Sequence, residues 1–317
     1  MDEYIKSIKH HWLFAVVIVM TVLTGIVFLG NRFSGFWGTS VSSSDATPLP
    51  RSKDARFDIL ILGIRGPDDP FAEEGGALLT DTIQIVSFDK ESKKVSLVSI
   101  PRDLYVEIDS KKKDKVNTVY EYALAHDQSS IKFSKDFFSG LTGVEIDKVV
   151  IFDFAAFKKI VDSLGGVTIT LEKPFQESSQ WGYPFYLPAG ENHLNGQNAL
   201  YYVRSRYSTH DFDRSRRQQQ VISAMKAKLD SINFFNDPIK TWNIFNTVRK
   251  NIITDIQIWD IDELIKVAQS MNNAPVNAYV ISTENLLVES TNGNGAYILL
   301  PKNNDWNSIK ETFKSSI

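Results

Sequence analysis

The chain has 317 residues, 43% of them apolar and 23% charged, with 35 Lys and Arg against 38 Asp and Glu. These are the proportions of a folded globular protein, and the resulting net charge of −3 argues against a protein that coats nucleic acid. There is no cysteine, which excludes a thiol protease, a sortase-like transpeptidase, a zinc ribbon and a disulfide scaffold, and which suits an exported bacterial protein.

Trp12 to Leu29 read WLFAVVIVMTVLTGIVFL, 18 positions without a charge. At helical rise this run covers about 27 Å, close to the roughly 30 Å hydrocarbon core of a bilayer. Lys6 and Lys9 precede it and Arg32 follows, a bias that places the N-terminus in the cytoplasm. Gly30-Asn31-Arg32 replaces the small-residue cleavage site of a signal peptide, so the run reads as an uncleaved anchor. The predicted organisation is a cytoplasmic tail at residues 1–11, an anchor at 12–30, a Ser/Gly/Pro-rich linker at 31–56 and an extracytoplasmic domain at 57–317.

Phe57–Ile64 (FDILILGI) is a nearly continuous apolar run, the mark of a strand covered on both faces. Thr82–Phe88 and Val95–Ile100 read as a hairpin joined at Asp89–Lys94. Helices are expected at Asn117–Ala125 and Lys135–Leu141, and a strand at Lys148–Phe152. Asp153 caps a helix with Phe157, Ile160, Val161 and Leu164 on one face, ended by Gly165-Gly166, and Val167–Leu171 is the next strand. A Pro/Gly-containing stretch leads to Asn195, the cap of a helix over Gln197–Val203. Asp213 caps a long helix to about Asp230 with Ile222, Met225 and Leu229 inward, and Asp260 caps another. Tyr279–Ser282 and Tyr297–Leu300 are late strands. The pattern is α/β, with a central mixed sheet sandwiched by helices.

The stretch YVRSRYSTHDFDRSRRQQQ concentrates Arg204, Arg206, Arg214, Arg216 and Arg217 in an otherwise slightly acidic chain. In an extended segment Arg204 and Arg206 point to one face, and on the following helix Arg216 and Gln220 share another. A cation near a helix N-terminus opposes the dipole unless an anion sits there too, and guanidinium groups grip phosphate oxygens in pairs. A phosphate site therefore outweighs the plain alternative, a solvated basic face paired with Asp211 and Asp213. Acidic residues form a second group, with Asp81 opening a strand and Asp68-Asp69 in the loop before it. Alone they read as a strand cap and a turn; beside a phosphate they would suit Mg²⁺, which takes hard oxygen ligands. Pro101-Arg102-Asp103 adds an arginine just past a strand's carboxyl end, where open sheets bind ligands.

Taken in order, FDILILGI, TDTIQIVSFDKESKKVSLVSIPRDLYVEI, DKVNTVYEYA, FKKIVDSLGGVTI, HLNGQNALYYVRSRY and DFDRSRRQQQVISAMKAKL resemble the LytR-CpsA-Psr family of membrane-anchored cell-wall phosphotransferases. The resemblance implies transfer of a glycopolymer from a polyprenyl-pyrophosphate carrier to peptidoglycan through a phosphodiester bond. It assigns pyrophosphate binding to Arg102, Lys115, Arg204, Arg206, Arg216 or Arg217, and Gln220. Asp81 is implicated in Mg²⁺ binding and in activating the acceptor hydroxyl. Two departures stand out. Leu79-Thr80 replaces the usual Arg-Ser before Asp-Thr, removing one positive charge. A second metal-ligating Asp normally follows the first strand, but Arg65-Gly66-Pro67 intervenes and leaves Asp68 or Asp69, with Asp69 favoured. A module that captures or senses polyprenyl-linked glycans, or a hydrolase that only cleaves the pyrophosphate, is the alternative; the eleven or so residues before the anchor are too few for a signalling output domain.

Overall fold

The computed structural model describes residues 56–66, 76–89, 91–178, 180–205, most of 217–228, 238–257, 260 and 276–316. The expected anchor at 12–30, the linker at 31–55 and the cytoplasmic tail lie outside these residues, and among the described residues no helix is long and apolar enough to cross a membrane. The described chain divides into two units, one built from residues 56–153 and 252–316, the other from 154–251.

The first unit is organised by a six-stranded mixed sheet. Its strands are β1 (Arg56–Ile64), β2 (Thr80–Asp89), β3 (Lys94–Ser99), β6 (Lys148–Phe152), β11 (Ile252–Thr254) and β12 (Val276–Val280), in the order β11-β6-β1-β2-β3-β12. β1 is parallel to β6 and β3 to β12; the remaining neighbours are antiparallel. Arg56, which the sequence places in the linker, instead opens β1. The apolar run behaves as expected of a central strand, because every residue of Phe57–Ile64 is buried. Alternation divides its side chains between two faces. Leu60, Leu62 and Ile64 join Ile83, Ile85, Val98 and Val149 in one core, closed by Phe138, Ile309 and Phe313 from helices.

Those helices are α1 (Val119–Ala125), α2 (Ser130–Thr142) and α6 (Trp306–Ser315). α2 begins five residues before the expected start, because the Ser129 side chain accepts from the Lys132 backbone N–H and caps the first turn. α6 was not expected; Asp305 caps it, and Ile309 and Phe313, one turn apart, are buried. Short pairs, β4 (Tyr105–Glu107) with β5 (Lys113–Lys115) and β13 (Leu287–Thr291) with β14 (Tyr297–Pro301), complete the unit.

The second unit contains α3 (Phe154–Ser163), β7 (Val167–Leu171), β8 (Phe175–Glu177), β9 (Phe185–Leu187), β10 (Gly190–Leu194), α4 (Gly196–Arg204) and α5 (Pro238–Asn251). The described residues among 217–228 are helical, and Val221 and Met225 are buried there. β10 pairs antiparallel with β7, and the Pro/Gly-containing stretch between them holds the β8–β9 hairpin. Asn195 caps α4 as expected, accepting from the Asn198 N–H at 2.9 Å. At Gly196 a Cβ would collide with the Lys158 carbonyl, so the absence of a side chain lets α4 approach α3. The Gly196 N–H also donates to Asp162 at 2.7 Å.

Candidate active site

In the first unit β1, β3, β6 and β12 run in one direction, so their carboxyl ends share an edge, and antiparallel β2 begins there. Ligands bind at such edges because loops and unsatisfied chain ends collect there. Arg65 follows β1, Asp81 is the second residue of β2, and Arg102 and Asp103 follow β3. Arg102 Nη1 donates to Asp81 Oδ1 at 2.5 Å, while Arg65 Nε lies 3.5 Å from Asp81 Oδ2. Arg102 Nε lies 3.5 Å from Asp103 Oδ2, and Lys115 Nζ reaches Asp103 Oδ1 at 2.6 Å. Three cations and two carboxylates thus alternate along the edge, and Asp153, directly after β6, brings a third carboxylate to it.

Backbone bonds hold the ladder in place. The Asn117 N–H donates to the Arg102 carbonyl at 3.3 Å, and Thr80 Oγ1 donates to the Asn117 carbonyl at 3.1 Å. Val116 N–H binds the Leu104 carbonyl at 2.7 Å, and Leu299 N–H binds the Asp103 carbonyl at 2.9 Å. Among the described residues, the buried Asn117 Oδ1 has no hydrogen-bond partner, and the Asn117 N–H is bonded to the Arg102 carbonyl. Asp81, Arg102 and Lys115 are therefore brought together as the sequence predicts. Asp68 and Asp69 lie outside the described residues.

No group of three His, Asp or Glu side chains that could hold a metal occurs among the described residues. Mg²⁺ needs no such cage: it commonly rests on one or two carboxylates plus phosphate oxygens and water. Asp81, a hard oxygen donor between Arg65 and Arg102, fits that role.

In the second unit the arginines divide. Arg204 ends α4, so the extended reading of Arg204 and Arg206 fails: the helix runs through residue 204 because Leu200, Tyr202 and Val203 are buried. A cation there favours the C-terminal end of the dipole. Its guanidinium lies 4.0 Å from the Phe154 ring centroid and 5.3 Å from that of Trp181. Trp181 is itself fixed, stacked on Tyr201 at 4.5 Å and donating from Nε1 to Ser205 Oγ at 3.2 Å. Tyr183, bonded to Tyr201, has its hydroxyl pushed up to about 12 by that bond.

Arg217 is 5% exposed, donates from Nε to the Tyr202 carbonyl at 2.8 Å and also to the Ser205 carbonyl, and lies 5.0 Å from the Phe175 ring. It satisfies carbonyls at the end of α4, a structural task the sequence did not suggest. Gln220 donates to the Thr170 carbonyl at 2.6 Å and accepts from the Tyr202 hydroxyl at 2.7 Å, whose pKa burial pushes up to about 12. Arg206, Arg214 and Arg216 lie outside the described residues.

Sequence reasoning gave no site role to Arg65 or Trp181, and read Asp103 only as a pairing partner of Arg102, the contact seen here at 3.5 Å. Arg65 carried a signal, since it stands one residue past a buried strand; Trp181 carried none, because its partners are set by the hairpin of β8 and β9.

Comparison with known proteins gives a family and a fold. The LytR_cpsA_psr family model matches residues 38–315. TagU of Bacillus licheniformis, named a polyisoprenyl-teichoic acid–peptidoglycan teichoic acid transferase, is 32% identical over 267 residues, covering 82% of this chain and 78% of that protein. The regulatory protein MsrR of Staphylococcus aureus is 27% identical, covering 83% and 76%. The crystal structure of Bacillus subtilis TagV superposes with a TM-score of 0.62 at 25% identity, covering 83% of this chain and 98% of that one.

Proposed function

This chain belongs to the LytR_cpsA_psr family, and from that premise we propose that it is a phosphotransferase moving a glycopolymer from a polyprenyl-pyrophosphate carrier to peptidoglycan. The name of the TagU relative supports the reaction class, and the apolar run of residues 12–30 supports an anchored enzyme whose domain at 57–317 faces outward.

The observation that carries the reading is Asp81 held against Arg102 at the carboxyl edge of the sheet. A hydroxyl of peptidoglycan attacks the phosphorus next to the glycan. The new P–O bond forms as the bridging P–O bond breaks, and polyprenyl phosphate leaves with the electron pair. Arg102 and Lys115 meet the charge that gathers on the departing phosphate. As Arg102 turns toward the substrate, the Asp81 carboxylate is released to accept the hydroxyl proton. When bound, Mg²⁺ held by Asp81 and by Asp69 would further neutralise the diphosphate. On the second unit, Arg204 is the carrier-binding candidate whose guanidinium is held by rings, with Arg206 and Arg216 assigned by resemblance. Arg217 and Gln220 act by holding α4 in place.

The test is transfer by the full chain in detergent micelles, supplied with a polyprenyl-pyrophosphate glycan, peptidoglycan and Mg²⁺. Glycan joined to peptidoglycan through phosphate is the expected product. Release of soluble glycan phosphate alone would make the protein a hydrolase, and binding without turnover a sensor.

A further inference from the structure

We propose that Arg65 is a further phosphate-binding residue of this site, supplying from β1 a charge that β2 lacks. The inference rests on the transferase reading above. Gly63 pairs with Thr82 and Ile64 with Thr80, so the register shifts and Asp81 is the extra residue of a bulge in β2, beside Arg65 at the end of β1. Bulges bend a strand and re-aim the side chains beside them, and they recur next to active sites. The next residue holds that aim. Gly66 adopts a φ of +85°, its N–H donates to the Ala77 carbonyl at 2.8 Å, and a Cβ there would meet the Asp153 carboxylate. Gly66 is thus tied to Ala77 directly next to Arg65.

The contact Arg65 makes is weak for a structural ion pair. Its Nε lies 3.5 Å from Asp81, and 27% of the side chain is exposed, so solvent screens the attraction. Arg102 already binds the other oxygen of Asp81 at 2.5 Å. The fold gains little from a second guanidinium there, yet that guanidinium sets a third cation beside Arg102 and Lys115. A phosphate would complete the pattern, because it accepts paired N–H bonds from a planar guanidinium that a single carboxylate oxygen does not use.

The sequence points the same way. Ile64 pairs with Thr80, so Arg65 and the apolar Leu79 flank the same end of the β1–β2 ladder, and of these two Arg65 alone brings a charge there.

The experiment compares Arg65→Ala, Arg65→Lys and the double variant Arg65→Ala/Leu79→Arg in the full chain. Inorganic pyrophosphate binding is measured by calorimetry, transfer by KM and kcat, and folding by thermal melts. Arg65→Ala is expected to weaken pyrophosphate binding and raise KM by about tenfold or more. Lysine should restore part of this, and Leu79→Arg should restore most of it in the alanine background. Pyrophosphate binding within twofold of the parent in Arg65→Ala, or a fallen melting temperature with unchanged binding, would overturn the proposal while normal transfer left the transferase reading intact. Arg65-dependent pyrophosphate binding without any transfer would sink the transferase reading and leave Arg65 standing. A parent chain that does not bind pyrophosphate at all would refute both.

Discussion

At the carboxyl ends of β1 and β3, the side chains of Asp81, Arg102, Asp103 and Lys115 are between 17% and 28% exposed, whereas at the amino end of β6 Lys148 and Asp260 are 1% exposed and 2.5 Å apart. The same residue types serve opposite ends of one sheet. Around Lys148 the charges are closed in: Lys135 pairs with Asp255 at 3.0 Å, Asp255 accepts from the Val149 N–H at 2.8 Å, and Asp58 is gripped by Arg56 at 2.6 Å and by the Ser87 hydroxyl. Such a network is held by bonds that a ligand would have to break. At the other end, where the side chains are partly exposed, a carboxylate can exchange its cation for water or a metal, and a cation its carboxylate for water or phosphate, at smaller cost. Burial, rather than the presence of charge, separates the end that keeps the fold from the end proposed to do chemistry.

The comparison breaks most sharply if charge removal has the same consequence at both ends. Asp81→Asn should lower transfer by about a hundred- to ten-thousandfold, the range for a positioned general base, with a melting temperature close to that of the parent. A variant that transfers normally, or that unfolds, puts Asp81 in the wrong class. Asp260→Ala should do the reverse, costing about 3–5 kcal/mol because it leaves the Lys148 ammonium buried without that carboxylate. Denaturant unfolding would read the loss, and kcat per folded molecule should hold. Asp260 lost in stability but also in kcat would join the two ends and remove the contrast.

The closed end should also make stability depend on pH. Burial, reinforced by the nearby charges of Asp58 and Glu145, pushes the Asp147 carboxyl from 3.8 to about 7. Asp58 is raised too, chiefly by burial and against the pull of Arg56. A carboxyl whose folded pKa is raised binds its proton more tightly folded than unfolded, so it opposes folding increasingly as pH climbs from about 4 to about 7. Asp147→Asn keeps the oxygen that accepts from the Asp58 N–H at 2.7 Å and removes the titration. The variant should gain stability over the parent between pH 5 and 8, and its unfolding midpoint should vary less with pH. An unchanged slope would mean that Asp147 titrates as an exposed acid.

How far the sequence exposed this division differs between the two ends. β1 was legible because an eight-residue run that only Asp58 and Gly63 interrupt among apolar side chains admits few other readings, and Asp81 and Arg102 were legible because each sits near a strand terminus that local pattern locates. The Lys148–Asp260 pair was not. Lys148 reads as the polar start of a strand and Asp260 as a helix cap, and nothing local joins residues so distant in the chain. Arg204 was misread because VRSR alternates like a strand, while the burial of Leu200 and Val203 that makes it helical belongs to tertiary packing. α5 escaped because few apolar positions, Ile244 and Val248 among them, mark its inner face within a polar sequence. Membership of the family was plain from ordered motifs; the bonds of Arg217 and Gln220 to carbonyls required coordinates.

The finest test of burial as the deciding variable lies on α2, where two lysines one turn apart meet different surroundings. Lys132 pairs with Asp136 at 2.9 Å, and both side chains are about two-thirds exposed at 65% and 68%. Lys135 pairs with Asp255 at 3.0 Å and donates to the Asp147 carbonyl at 2.6 Å, with exposures of 21% and 11% across the ion pair. The distances are alike, so a distance criterion predicts equal effects. Screening predicts otherwise, since water and salt weaken the outer pair and its side chains give up rotamer freedom to form it. Lys135→Ala should cost about 1.5–3 kcal/mol, the range for a hydrogen bond to a charged group. Lys132→Ala should stay within about 0.5 kcal/mol of the parent, in line with other exposed pairs four residues apart on a helix. Raising the salt concentration should erase the small effect and leave the large one. Equal losses for the two alanine variants would mean that pairing distance, and not enclosure, sets the value of charge in this protein.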